Sequence, residues 1–171
     1  MSDLFQNGHG VRTLVELLCL RAQQTPDARA YTFVKDGLSE EKVYSYAGLD
    51  QAARAIAVGL GQGPQALHPG DRALLLYPPG LEFVAAFMGC LYAGVIPIPA
   101  PPPDSARFKR TFPRLRAIME DAGARLILST ASIAQTAQRV DAQETRWFCT
   151  EALDPSLATQ WRASSLSCDD L

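Results

Sequence analysis

Apolar positions change their period several times along the chain, and each change predicts an element. Thr13 and Glu16 have capping-box spacing, and Leu14, Leu17, Leu18 and Arg21 continue at helical period until Pro26, so a first helix is expected there. Arg29 to Lys35 alternates in the strand manner, Asp36-Gly37 offers a turn, and Lys42 to Tyr46 is β-prone again. A hairpin or two neighbouring strands should result. Leu49, Ala52, Ala53, Ile56 and Leu60 return to helix spacing, and the stretch from Gly61 to Gly70, with Pro64 and Pro69, ends that helix.

The rhythm differs from Asp71 onward. Arg72 to Tyr77 is a short continuous apolar run, suited to a strand covered on both faces, and Pro78-Pro79-Gly80 breaks it. Leu81 to Ala93 follows as a helix apolar nearly all round, Gly94 closes it, and Val95 to Ile98 is strand-like. Residues 107–122 form a helical stretch interrupted by Pro113, 125–129 a buried-type strand, 131–140 a short helix, and 146–150 a further strand. This alternation predicts an α/β fold, a mixed sheet with parallel βαβ units flanked by helices. The expected organisation is a helix/hairpin/helix entry over 1–70, the βαβ units over 71–150, and a connection of small polar residues over 151–171.

Composition narrows the function classes. The 171 residues are 47% apolar and 20% charged with net charge −2, which suits a soluble chain of one ordinary domain's size and provides no global positive field for nucleic acid. Residues 83–100 carry no charge, yet Pro97 and Pro99 would break a spanning helix, so a buried core element is expected and not a membrane span. The start MSDLFQNGHG has no basic lead into an apolar stretch, so no signal peptide is expected. Cys19, Cys90, Cys149 and Cys168 are far apart, and with only His9 and His68 beside them neither a metal site nor a disulfide framework is expected. A reducing cytoplasm is the matching compartment.

Motifs that carry chemistry are few in this chain. GxxxxGK[ST], GxGxxG after a strand, GxSxG and HExxH are all missing. Gly59-Leu-Gly61-Gln-Gly63 follows a helix and reads as its end, and His68 as an exposed loop histidine. Arg107, Lys109, Arg110, Arg114 and Arg116 form a basic run without an acid between Asp104 and Glu120. Spread around a helix, they suit either a solvated surface or a patch for an acidic partner, such as a carrier protein or a phosphorylated cofactor arm. The proline cluster from Pro97 to Pro103 leaves the carboxyl edge of a parallel sheet, where it can be a rigid connector, an SH3-type ligand or the wall of a binding cleft.

Three stretches carry a family resemblance. Tyr44-Ser-Tyr-Ala-Gly-Leu-Asp50 followed by Ala53-Arg54 resembles the first core motif of adenylate-forming enzymes. Gly70-Asp71-Arg72-Ala-Leu-Leu-Leu-Tyr-Pro-Pro-Gly-Leu-Glu-Phe83, then Ala86 through Pro99 and the Pro-Ala-Pro-Pro-Pro exit, look like the fatty acyl-AMP ligase branch, from about Thr13 to Leu171. The resemblance implies the first part of the large N-terminal AMP-binding domain, a partial subdomain of the adenylate-forming fold. It implies a parent enzyme that activates a fatty acid with ATP and Mg²⁺ to an acyl-adenylate and passes it to the phosphopantetheine thiol of an acyl carrier protein. The family's phosphate loop, adenine and ribose motifs and catalytic lysine would all follow Leu171. No catalytic, cofactor-binding or metal residue is therefore assigned here, and the 171 residues alone are expected to be inactive without the remainder of the ligase domain. The remaining candidates are an acyl-tunnel wall of Phe83, Phe87, Pro99 and Pro101, and a partner patch of Arg107, Lys109, Arg110, Arg114 and Arg116. The alternatives are a non-catalytic docking module for a carrier protein, or a fragment of an ordinary fatty acyl-CoA synthetase.

Overall fold

Thr13 opens the first helix, α1 (Leu14–Gln24), in the expected way: its hydroxyl accepts the Glu16 N–H at 3.1 Å while the Glu16 carboxylate accepts the Thr13 N–H at 3.2 Å. The computed structural model describes residues 11–35, 37, 39–102, 108–139 and 145–163. β1 (Arg29–Lys35) and β2 (Ser39–Ser45) pair antiparallel as a hairpin, and α2 (Tyr46–Leu60) begins at once. Tyr46, expected at a strand end, is instead the first residue of α2. Ser45 decides this, because its hydroxyl caps the helix by accepting the Gly48 N–H at 3.1 Å.

The second part alternates strand and helix: β3 (Arg72–Leu76), α3 (Leu81–Tyr92), β4 (Ile96–Pro99), α4 (Phe108–Asp121), β5 (Leu126–Ser129), α5 (Ala131–Gln138) and β6 (Trp147–Cys149). The four strands form one parallel sheet in the order β4-β3-β5-β6, so the α/β architecture with parallel units stands and antiparallel pairing is kept to the separate hairpin. Alternation along β3 and β5 splits the core. Ala73, Leu75, Leu126 and Leu128 face a cluster built with α2 and α3, whereas Leu74, Leu76 and Ile127 face one built with Phe108, Phe112 and Leu115 of α4.

Two segments differ from expectation for identifiable reasons. Pro113 does not interrupt α4, which runs on from Phe108 to Asp121. Proline lacks the N–H that would meet the Lys109 carbonyl one turn earlier, but both residues are exposed, so water can satisfy that carbonyl. Residues 151–163, expected only to connect, fold into 3-10 turns at Thr150–Ala152 and Pro155–Gln160, the second begun by Asp154 accepting the Ser156 N–H at 2.8 Å. Leu153 and Trp161 pack against the first cluster. The 83–100 stretch divides into α3 and β4, and among the described residues no helix is long and apolar enough to cross a membrane.

Candidate functional site

The carboxyl edge of a parallel sheet is where α/β folds present chemistry, and four chain segments leave this sheet there. Tyr77 follows β3, and its hydroxyl shares a 3.0 Å hydrogen bond with Thr150 Oγ1, just past β6. Ser129, fully buried at the end of β5, donates to the Leu76 carbonyl at 2.6 Å. Ala100 ties the proline exit of β4 back to the Leu75 carbonyl at 3.1 Å. Glu151 accepts the Ala131 N–H at 2.8 Å, at the start of α5. The rim is thus cross-linked between strands, and the hydroxyls of Tyr77, Ser129 and Thr150 are already engaged. Burial raises the Tyr77 phenol above its ordinary pKa, so it stays a neutral hydrogen-bonding group.

Of the tunnel-wall candidates, Phe83 and Phe87 lie on α3 with ring centroids 6.1 Å apart, half-buried against the first cluster. Pro99 and Pro101 are exposed at the carboxyl edge. The basic run is divided. Lys109, Arg110 and Arg114 are exposed on α4, Arg116 turns back over the Phe112 ring at 5.8 Å, and Arg107 lies outside the described residues. Helical spacing puts Lys109 and Arg116 on one flank of α4, with Arg110 and Arg114 on its outer side.

The arrangement that sequence reasoning missed is a polar clamp inside the first cluster. Asp50, 9% exposed, accepts from Tyr92 Oη at 2.8 Å and from Arg54 Nε at 2.7 Å, and Cys19 Sγ lies 3.3 Å from Tyr92 Oη. Arg54 stacks on Trp161 at 4.6 Å, and the Trp161 indole N–H donates to the Tyr92 carbonyl at 3.1 Å. Burial first, and these hydrogen bonds second, raise the Tyr92 phenol far above its usual range. α1, α2, α3 and the 155–161 segment are joined at this one point. The Asp50/Arg54 spacing of four was the available signal in the sequence, but the partners lie 31 to 107 positions away from Asp50 or Arg54.

A cavity of about 490 Å³ lies at the opposite, amino edge of the sheet, lined by Phe112, Leu115, Arg116, Met119 and Glu120 of α4 and by residues leading into β5 and β6, including Arg125 and Arg146. Arg125 Nη1 bridges both oxygens of Asp71 at 3.1 Å. The His68 backbone N–H, donating at 2.8 Å, is the main reason the Asp71 carboxyl sits below its usual range, with Arg125 adding to it. His68 itself is exposed. Among the described residues, no three His, Cys, Asp or Glu side chains are grouped so as to hold a metal ion.

Comparison with known proteins gives this geometry a context. Residues 20–166 match the family model of AMP-binding enzymes. The medium-chain-fatty-acid–[acyl-carrier-protein] ligase JamA of Moorena producens is 42% identical over 170 residues, which is 93% of this chain and 27% of the relative. The long-chain-fatty-acid–AMP ligase FadD26 of Mycobacterium tuberculosis is 35% identical, over 71% of this chain and 20% of the relative. The crystal structure of a fatty acyl-adenylate ligase from Legionella pneumophila, in complex with acyl adenylate and pyrophosphate, superposes with a TM-score of 0.80 at 30% identity, covering 93% of this chain and 27% of that one. The chain therefore spans about a quarter of the length of JamA and of the Legionella ligase.

Proposed function

The chain belongs to the AMP-binding enzyme family, and from that premise we propose that it is the opening part of a fatty-acid–AMP ligase. The 42% identity to a fatty-acid ligase along nearly the whole chain supports this reading most directly, together with the likeness to the Legionella acyl-adenylate ligase. In that reaction a fatty-acid carboxylate attacks the α-phosphorus of ATP and releases pyrophosphate, and a carrier-protein thiol then takes the acyl group and releases AMP. The enzyme works in the cytoplasm.

The described residues do not fit ATP and Mg²⁺. Among the described residues, the hydroxyls of Tyr77, Ser129 and Thr150 at the carboxyl edge are tied to one another and to backbone, and no three His, Cys, Asp or Glu side chains are grouped so as to hold a metal ion. We therefore assign the nucleotide to parts of the ligase that follow these residues. The 171 residues supply the rigid flank of the domain. Phe83 and Phe87 line the acyl path, Pro99 and Pro101 stiffen its rim, and the outward Lys109, Arg110 and Arg114, continuing from Arg107 and beside Arg116, meet the acidic carrier protein.

Pyrophosphate exchange into ATP tests the proposal. A ligase containing these residues should catalyse exchange that depends on a fatty acid, and the 171 residues alone should show none. Acylated carrier protein, followed by intact-protein mass spectrometry, should form in preference to acyl-CoA. Exchange by the 171 residues alone, or exchange indifferent to fatty acid in the longer protein, would refute it.

A further inference from the structure

The amino-edge cavity lies at the opposite end of the sheet from the edge where the ligase reading places its chemistry, so its lining needs an account of its own. Its floor is apolar, formed by Phe112, Leu115, Met119, Ala124 and Ile127. Among the described lining residues, its rim holds the guanidiniums of Arg116, Arg125 and Arg146 and the carboxylate of Glu120, and Asp71 pairs with Arg125. Arg116 is pinned over the Phe112 ring, and Arg125 spends Nη1 on Asp71, which fixes the guanidinium at the mouth. The exposed Arg146 side chain makes no hydrogen bond or ion pair with any described residue. Guanidiniums arranged about a small apolar floor favour a planar or tetrahedral oxyanion carrying a short hydrocarbon body.

A volume of about 490 Å³ falls in the range of small-ligand sites, roughly 300–1,000 Å³. We propose that the cleft between α4 and the amino ends of β5 and β6 binds a small anionic amphiphile, with a carboxylate or phosphate-monoester head held by Arg116, Arg125 and Arg146 and an apolar body resting on Met119 and Leu115. A cleft at the amino edge of the sheet does not depend on the ligase reading.

Of the three methionines, Met119 lines the cleft and Met88 is buried in the α2–α3 cluster, so methyl-labelled methionine reports on the cleft and on the core separately. Octanoate and octyl phosphate are titrated into the labelled protein, with octanol and inorganic phosphate as controls. The amphiphiles should shift the Met119 methyl signal saturably and leave Met88 in place, and a response to only one of them identifies the head group. Arg146→Glu, on an exposed side chain, should weaken binding by on the order of tenfold while the thermal midpoint stays unchanged. An unmoved Met119, a shift confined to Met88, an equal response to octanol or inorganic phosphate, or full affinity in Arg146→Glu would each overturn the proposal.

Discussion

Gly89 lies where α3 crosses α2, and a Cβ added there would fall 2.4 Å from Ile56 Cγ2 and 2.6 Å from Ile56 Cβ. Two effects oppose each other. Alanine in mid-helix is favoured over glycine by about 1 kcal/mol, while forcing a methyl into a filled core costs about 1–3 kcal/mol. The nearest atoms here are close to the Ile56 backbone and cannot swing aside as the end of a long side chain would, so overpacking wins. Gly89→Ala should lose about 1–2 kcal/mol in urea unfolding. In the double variant with Ile56→Ala the loss should be smaller than the sum of the two single losses, because removing Cγ2 reopens part of the space. A stabilised Gly89→Ala, or strict additivity, would show that the helices do not meet at this distance.

Among elements, local signals and distant ones separate clearly. The Thr13–Glu16 box, the apolar runs of β3 and β5 and the β3–α3–β4 unit were legible because each rests on neighbours within a few residues. Likewise the motif resemblance pointed to the family. The 155–161 segment was illegible because its partners come from elsewhere: Trp161 reaches Tyr92 and Arg54, neither of which its own polar surroundings announce. The amino-edge cavity was hidden for the same reason, since Met119, Arg125 and Arg146 meet only once α4, β5 and β6 have packed. Trp161 anchors its segment through an indole hydrogen bond, a ring contact with Tyr92 at 4.9 Å and the Arg54 stack. Trp161→Ala should destabilise the protein by about 2–3 kcal/mol, below the range for a fully buried tryptophan because this one is only partly covered. Hydrogen exchange should speed up sharply in peptides spanning 153–163 while those of β3 and β5 remain protected under native conditions. Unchanged exchange at 153–163 would mean that the segment is held by other contacts.

At the scale of the whole molecule, the two-faced core buries acids in their neutral form, and this sets how the fold responds to pH. Burial pushes the Cys90 thiol up to about 12, and also raises Cys149, Tyr44, Tyr77 and Tyr92. In the unfolded chain these groups ionise near their ordinary values, about 8.5 for cysteine and about 10 for tyrosine. Below those values both states hold the protons and stability is level. As the pH rises past them the unfolded state releases protons that the folded state keeps, so stability falls, by up to about 1.4 kcal/mol per pH unit for each of the strongly raised groups Cys90, Tyr77 and Tyr92 while its unfolded form is ionised and its folded form is not. Urea unfolding between pH 7.5 and 11 should therefore show a plateau, a decline starting near pH 8.5 from Cys90 with a smaller share from Cys149, and a steeper fall beyond about pH 10 as Tyr77 and Tyr92 join. Cys90→Ala should remove the larger part of the first decline, and Tyr92→Phe should reduce the second slope by about 1.4 kcal/mol per pH unit. Because each variant also lowers stability at pH 7.5, the comparison lies in slopes and not in midpoints. Slopes equal to that of the unsubstituted protein in both variants would mean that these side chains titrate as freely in the fold as they do in the open chain.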